Sequence, residues 1–228
     1  MADDILCVIP ARGGSKGLPG KNKKHLNGKP LILWTIDAAK RSKYIKKIVV
    51  SSDDKDILDM ANQYGVTCVK RSAEFATDIA STADVIKEVM AKAEKTYRYI
   101  LLLQCTSPLR TTAQIDEAIE LLKDNVKRAD AVISVKENEH PIQWIRKISE
   151  EGYLQNVFLG SAQDKQRQNY DVTYLPNGAI YFIKTAVFEE CNGFQPERTL
   201  PYIMDRRTSV DIDTEEDFRL AEFILSGF

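Results

Sequence analysis

The chain has 228 residues, 43% of them hydrophobic and 29% charged, and its 32 Lys+Arg against 33 Asp+Glu leave a formal charge of −1. That apolar fraction excludes global disorder, and no apolar run is long enough to span a bilayer, so a membrane protein is not expected. The near-neutral balance also argues against nucleic acid as a partner, since such binders carry a large positive excess.

Apolar runs of strand length alternate with segments of helical period. Ile5–Ile9 reads as a buried strand, and Pro30–Arg41 as a helix with Leu31, Trp34, Ile36 and Ala38 inward. Lys47–Ser51 is a second strand, followed by a helix over Asp54–Tyr64 and a short strand over Val66–Val69. Ser81–Lys95 is helical, because Ala83, Ile86, Val89, Met90 and Ala93 recur at three and four. Tyr99–Leu103 is the most apolar strand; a helix over Thr112–Lys123 and a strand over Ala131–Val135 come next. Continuous apolar strands alternating with helices predict an α/β fold, a doubly wound and mostly parallel sheet covered on both faces.

The rhythm then breaks. Residues 136–198 read as an antiparallel insertion, with alternating stretches at Trp144–Ile148 and Tyr153–Phe158 and aromatics Trp144, Tyr153, Phe158 and Phe194. Within it, Gly178–Ile183 returns as a strand, with a short helix near Ala186–Cys191. Ser209–Ile212 is predicted as the last strand and Thr214–Leu225 as the closing helix, all inside one domain over 1–228. Cys7, Cys68, Cys105 and Cys191 lack metal-knuckle spacing, and the start of the chain lacks a signal-peptide pattern. Free thiols in the cytoplasm are therefore expected.

The densest chemical signal follows the first strand, in Ala11-Arg12-Gly13-Gly14-Ser15-Lys16-Gly17-Leu18-Pro19-Gly20-Lys21-Asn22. Residues 11–30 hold six basic side chains (Arg12, Lys16, Lys21, Lys23, Lys24, Lys29) and no acidic one. Glycines let backbone N–H groups approach a phosphate, and the cations neutralise it, so this loop predicts an anionic ligand at the carboxyl end of a strand. It is not a P-loop, since Ser15 stands where the first glycine belongs and Asn22 where a magnesium-binding hydroxyl belongs; no G-x-G-x-x-G exists either. Far along the chain, Asp211 and Asp213 alternate on the predicted last strand, which would send both carboxylates to one face. Two hard oxygens near a polyphosphate suit Mg²⁺. Thr214 and Asp217 have capping-box spacing, which accounts for themselves but not for Asp211.

The loop resembles the N-terminal motif of the CMP-sialic acid synthetases, the acylneuraminate cytidylyltransferases. The likeness continues in order through Arg71-x-Ala-Glu, Ala80-Ser81-Thr82, Leu103-Gln104-Cys105-Thr106-Ser107-Pro108-Leu109-Arg110, Arg167-Gln168, Pro176-Asn177-Gly178-Ala179-Ile180-Tyr181 and Asp211-Ile212-Asp213-Thr214. It implies an enzyme that transfers CMP from CTP to the anomeric hydroxyl of a nine-carbon acidic sugar and releases pyrophosphate. By this resemblance Lys16 and Lys21 hold the triphosphate, with Ala11, Arg12, Gly13, Ser15 and Asn22 beside them. Arg71, Ala80, Ser81 and Thr82 would line the base and ribose pocket. Gln104, Thr106, Arg167, Gln168, Asn177 and Tyr181 would hold the sugar, while Asp211 and Asp213 would bind Mg²⁺. Lys21, Lys16 and Asp213 are the expected catalytic groups, and Lys23 and Lys24 are expected to be solvated neighbours.

The resemblance also implies a homodimer in which Phe194 reaches the sugar pocket of the other subunit. The chain departs from the family pattern at Cys105, Gln143, Leu175 and Gln195, all on the sugar side. That leaves the acceptor open among N-acetylneuraminic, legionaminic, pseudaminic and related acids. A cytidylyltransferase for a keto-deoxy-octulosonate-type sugar and a non-catalytic nucleotide-sugar-binding protein are the alternatives.

Overall fold

Strand β1, Ile5–Pro10, lies inside a mixed sheet that gathers its partners from both sides. A computed structural model of the chain describes residues 4–15, 17–76, 81–158 and 169–227. After β1 come a two-stranded ribbon of β2 (His25–Leu26) and β3 (Lys29–Pro30), helix α1 (Leu31–Lys40), β4 (Lys47–Ser52), α2 (Lys55–Gln63) and β5 (Thr67–Lys70). Next are α3 (Thr82–Ala91), β6 (Tyr99–Leu102), α4 (Thr112–Asp124) and β7 (Ala131–Glu137). The chain ends with β8 (Arg146–Ile148), β9 (Leu154–Asn156), β10 (Tyr174–Lys184), α5 (Thr185–Cys191), β11 (Thr199–Ile203) and α6 (Glu215–Ser226).

The main sheet runs in the order β11-β7-β10-β6-β1-β4-β5. Its pairs are parallel except that β10 is antiparallel to both β6 and β7. One face is covered by α1, α2 and α4 through Ile32, Ile36, Ile57, Ile115 and Ile119, the other by α3 and α5 through Ile86, Val89 and Phe188. Each such fully buried aliphatic side chain contributes roughly 1.5–3 kcal/mol, so the two layers together hold the sheet rigid. The chain winds outward from β1 through β4 to β5, then crosses to β6 on the other side of β1. The carboxyl ends of β1 and β6 therefore diverge into a crevice, the usual place for a ligand in an open α/β sheet.

The helices start where local chemistry tells them to. Asp54 caps α2 by accepting from the N–H groups of Asp56 and Ile57, and Ser81, Thr111 and Thr214 each open a helix with a complete capping box. Thr214 thus caps α6 with Asp217, as its spacing implied.

Four expectations need correction. Ser209–Ile212 is not a strand: Ser209 N–H donates to Asp205 O (3.1 Å) in a turn, Ile212 N–H donates to Thr106 O (2.8 Å), and the segment joins no ladder among the described residues. The last strand is Thr199–Ile203, an edge strand beside β7 with only partial burial and hence no strong apolar signature. The insertion is shorter than 136–198, because β7 extends through Glu137 and β10 and α5 belong to the main layers. What projects is the β8–β9 hairpin with its flanks, whose Ile148, Tyr153 and Leu154 are 73%, 72% and 75% exposed. Finally, Trp34 is only partly buried, while Ile32, Leu33, Thr35 and Ala39 join the buried set, because α1 is gripped both by the sheet and by the cluster under α6.

Candidate nucleotide site

A cavity of about 610 Å³ opens at the crevice between β1 and β6. The basic loop forms one wall through Arg12, Ser15, Gly17, Lys21 and Asn22, and the β6 exit forms the floor through Gln104, Cys105 and Thr106. Arg71, Phe75, Thr82 and Val85 close one end, Asp211 and Asp213 the other. Segments separated by up to 200 residues of sequence meet here because each leaves the same end of the sheet.

The loop is held at its neck. Asn22 donates its amide N–H to Arg12 O (2.9 Å), Gly13 N–H donates to Asp53 Oδ1 (2.9 Å), and Ala11 N–H donates to Ser51 O (2.9 Å). Lys23 is not a solvated neighbour: its ammonium bridges Asp54 (2.8 Å) and Asp56 (2.9 Å) at the head of α2, and hydrogen bonds to both raise its pKa. Lys24 pairs with Glu215 and lies over the Phe218 ring, and Lys29 pairs with Asp37 over Trp34. Lys23, Lys24 and Lys29 are thus tied to carboxylates from other segments outside the cavity, which a local charge count misses.

Lys21 is different. It begins a 3₁₀ turn entered through Gly20 in the left-handed region (φ 65°), and it is only 8% exposed. Its ammonium donates to Ile212 O and to Asp213 Oδ1 (3.0 Å), which fixes a positive charge against the cavity. Gly17 packs so closely on this segment that a Cβ there would fall 2.3 Å from Asp213 O.

Asp211 and Asp213 do reach one cavity, although not by strand alternation. Asp213 is exposed, whereas Asp211 is largely buried and its Oδ1 has no hydrogen-bond partner among the described residues. Burial raises the Asp211 pKa; a hydrogen bond from Thr106 opposes that, and the negative charge of Asp213 adds to it. A buried carboxylate oxygen with nothing to accept from is an unfavourable arrangement that a hard cation would relieve. No group of three or more His, Cys, Asp or Glu gathers for a metal among the described residues, so a cation held by these two would take its remaining ligands from phosphate and water.

On the far side of Gln104 and Thr82, a second cavity of about 390 Å³ is lined by Leu102, Tyr181, Gly193 and Phe194. Phe194 is 8% exposed and packs on Phe188 and Tyr181 of its own chain, with centroids 5.0 and 5.6 Å away. In its own chain it thus stands beside Tyr181 at the edge of this second cavity. The Asn177 side chain bonds Ser134, Ser209, Met204 and the Ala179 N–H, and so braces the bulge in β10. Ser81 likewise spends its hydroxyl on the α3 cap. Lys16, Ala80, Arg167 and Gln168 lie outside the described residues.

Several contributors were not foreseen. Phe75 and Val85 line the Arg71 end, and Gly178 (φ 78°) sits where a Cβ would fall 2.7 Å from Gln104 Oε1 and 3.5 Å from Asp211 Oδ2. The Pro-Asn-Gly motif thus needs its glycine for close approach at the cavity. Cys105 lines the floor, but burial pushes its thiol up to about 12, so it is no nucleophile.

The sheet order, the switch-point cavity and the basic loop define a nucleotidyltransferase-type α/β protein. Residues 6–209 match the cytidylyltransferase family, and the chain belongs to it. It is 37% identical to N-acylneuraminate cytidylyltransferase of Streptococcus agalactiae serotype V, over 93% of this chain and 51% of that protein. It is 38% identical to CMP-N,N'-diacetyllegionaminic acid synthase of Legionella pneumophila, over 97% of this chain and 96% of that one. The chain spans about half the length of the N-acylneuraminate cytidylyltransferases it matches from Streptococcus and Escherichia coli. Among solved structures, CMP:2-keto-3-deoxy-manno-octonic acid synthetase complexed with CTP superposes with a TM-score of 0.71 at 16% identity, covering 98% of this chain and 99% of that one. No helix among the described residues is long and apolar enough to cross a membrane.

Proposed function

We propose that this protein transfers CMP from CTP to the anomeric hydroxyl of a nonulosonic acid and releases pyrophosphate. The observation that carries this reading is the convergence of Lys21, Asp211 and Asp213 on the loop-lined cavity at the strand switch point. CTP would lie with its triphosphate along Arg12–Asn22 and its base toward Arg71, with Lys16 joining Lys21 on the phosphates. The sugar would lie past Gln104 and Thr106 toward Tyr181 and Phe194, with Arg167 and Gln168 beside its carboxylate.

The sugar hydroxyl attacks the α-phosphorus, the bond to the β-phosphate oxygen breaks, and the hydroxyl proton is lost, with Asp213 the exposed carboxylate offered at that end. Rate acceleration then comes from positioning and from fixed charge. Lys21 meets the charge developing on the phosphates without having to reorganise, because Ile212 O and Asp213 already orient it. Asp211 and Asp213 would hold Mg²⁺, which supplies further neutralisation of the phosphate charge.

Pyrophosphate release from CTP, measured across N-acetylneuraminate, N,N'-diacetyllegionaminate, pseudaminate and keto-deoxy-octulosonate, tests the reading. Turnover with a nonulosonate well above that with the octulosonate is expected. The Legionella relative, matched over nearly its full length, makes the diacetylated acid the first to try. Release with none of the four, despite CTP binding, would leave a nucleotide-sugar-binding protein instead.

The exposed hairpin supports a homodimer. Ile148, Tyr153 and Leu154 of this hairpin are exposed apolar area that a monomer would leave in water. Replacing Ile148 and Leu154 by lysine should shift the protein from dimer to monomer in light scattering, and its melting temperature should then no longer depend on protein concentration. Because Phe194 is buried in its own chain, mixing Phe194→Ala with Lys21→Ala subunits should not restore sugar affinity.

A further inference from the structure

Two separate stretches wall the end of the cavity assigned to the base. Arg71 and Phe75 stand on the segment leaving β5, while Thr82 and Val85 stand on α3. Arg71 N–H is tied back to Ser52 O (2.8 Å) and its guanidinium to Ser51, with Nη2 donating to the carbonyl at 2.9 Å. Among the described residues, Glu88 links this segment to α3 by side-chain hydrogen bonds.

Glu88 follows Val85 on the helix by three residues, so the two are neighbours on its surface. It is only 8% exposed on a helix otherwise buried through Ala83, Val85, Ile86 and Val89. Its Oε1 accepts from Ser72 N–H (2.9 Å), from Ser72 Oγ (2.5 Å) and from the Lys92 ammonium (2.7 Å). Lys92 in turn donates to Lys70 O (3.1 Å), so the segment is gripped on both sides of Arg71. Oε2 is buried with no hydrogen-bond partner among the described residues. Burial by itself would raise the Glu88 pKa, but the bonds from Lys92 and Ser72 outweigh it and hold the carboxyl below the usual range. An aliphatic side chain would fill this site without the penalty of desolvating a charge. The carboxylate is explained by what it holds.

We propose that Glu88 is a positioning residue that clamps the Arg71–Phe75 segment to α3 and so sets the width of the base-binding end of the cavity. The inference rests on the CTP reading. It assigns affinity and base selectivity to a residue outside the cavity lining, one turn beyond Val85 of its helical wall.

Calorimetric titration of the protein with CTP and UTP, together with the KM for the sugar, tests it. Glu88→Ala should weaken CTP binding about tenfold, as expected for lost hydrogen bonds to a charged group, and should narrow the preference for CTP over UTP. The KM for the sugar should not move. Glu88→Gln keeps an acceptor for Ser72 and should remain within about threefold of wild type, the worth of the partly exposed pair with Lys92. Ser72→Ala removes one bond from the other side and should weaken CTP alone by about threefold, which serves if Glu88→Ala does not fold. Unchanged CTP affinity in either folded variant, equal shifts for CTP and sugar, or a Gln variant no better than Ala would overturn the clamp. Failure of the wild-type protein to bind CTP would overturn the CTP reading and the clamp with it.

Discussion

Lys21→Ala should lower kcat/KM for CTP by about 10²- to 10³-fold, the loss seen when a fixed donor is removed from a developing oxyanion in a water-poor site. The size follows from how Lys21 is held. Its stem is buried, and its ammonium is tied to the Ile212 carbonyl and to Asp213, so its charge is already aimed when substrate arrives. The fold should survive, because the partner left behind, Asp213, is 73% exposed and can be hydrated. Lys24→Ala is the control of equal charge. Lys24 spends its ammonium on Glu215 and on the Phe218 ring, so its loss should change kcat/KM by no more than a few fold. Lys23→Ala should fall between them, since Lys23 pins the loop to Asp54 and Asp56 without facing phosphate. Steady-state kinetics on the three variants checks this order. Equal losses would mean that the loop acts as a diffuse field with no individual contact.

The elements that were legible in the sequence are those whose burial is complete. β1, β4 and β6 are apolar on both faces, so they read as continuous runs, and the helices between them carry a strong three-four period. β11 was missed because an edge strand with exposed positions has neither signature. The mistaken strand at Ser209–Ile212 shows the converse. Val210 and Ile212 alternate as a strand would, yet their burial comes from the small cluster under α6 and not from a ladder. The carboxylates nevertheless reach the cavity, because Ile212 is anchored to Thr106 and Gly17 packs against Asp213. The family resemblance identified residues by motif, but motifs do not say whether a side chain is free. Asn177 and Ser81 belong to matched motifs and are consumed by internal hydrogen bonds. Conversely, Glu88 and the Asp53–Asp54 turn lie in no matched motif, and only the folded contacts connect them to the loop and to Arg71.

Asp211→Asn should reduce kcat by about 10²-fold or more while leaving the metal-free protein at least as stable as wild type. Both halves come from one atom. Oδ1 of Asp211 is buried with no hydrogen-bond partner among the described residues, so an ionised carboxylate there destabilises the fold in the absence of a cation. Asparagine has nearly the same shape, keeps an oxygen for the Thr106 hydroxyl, and removes the charge along with its repulsion by Asp213. The same substitution discards a hard anionic ligand, so Mg²⁺ should raise the melting temperature of the wild-type protein in the presence of CTP and have a much smaller effect on the variant. Had Asp211 served only to start α6, the opposite pattern would follow. Stability would drop by about 1 kcal/mol, the usual worth of a lost cap, and turnover would stay near normal. The cap is already supplied by Thr214 and Asp217, which close a complete box without any help from Asp211. Thermal melts with and without Mg²⁺ and CTP, run beside pyrophosphate release, separate the two cases. A variant that is destabilised but active would remove Asp211 from the metal assignment and leave Lys21 to carry the phosphate chemistry alone.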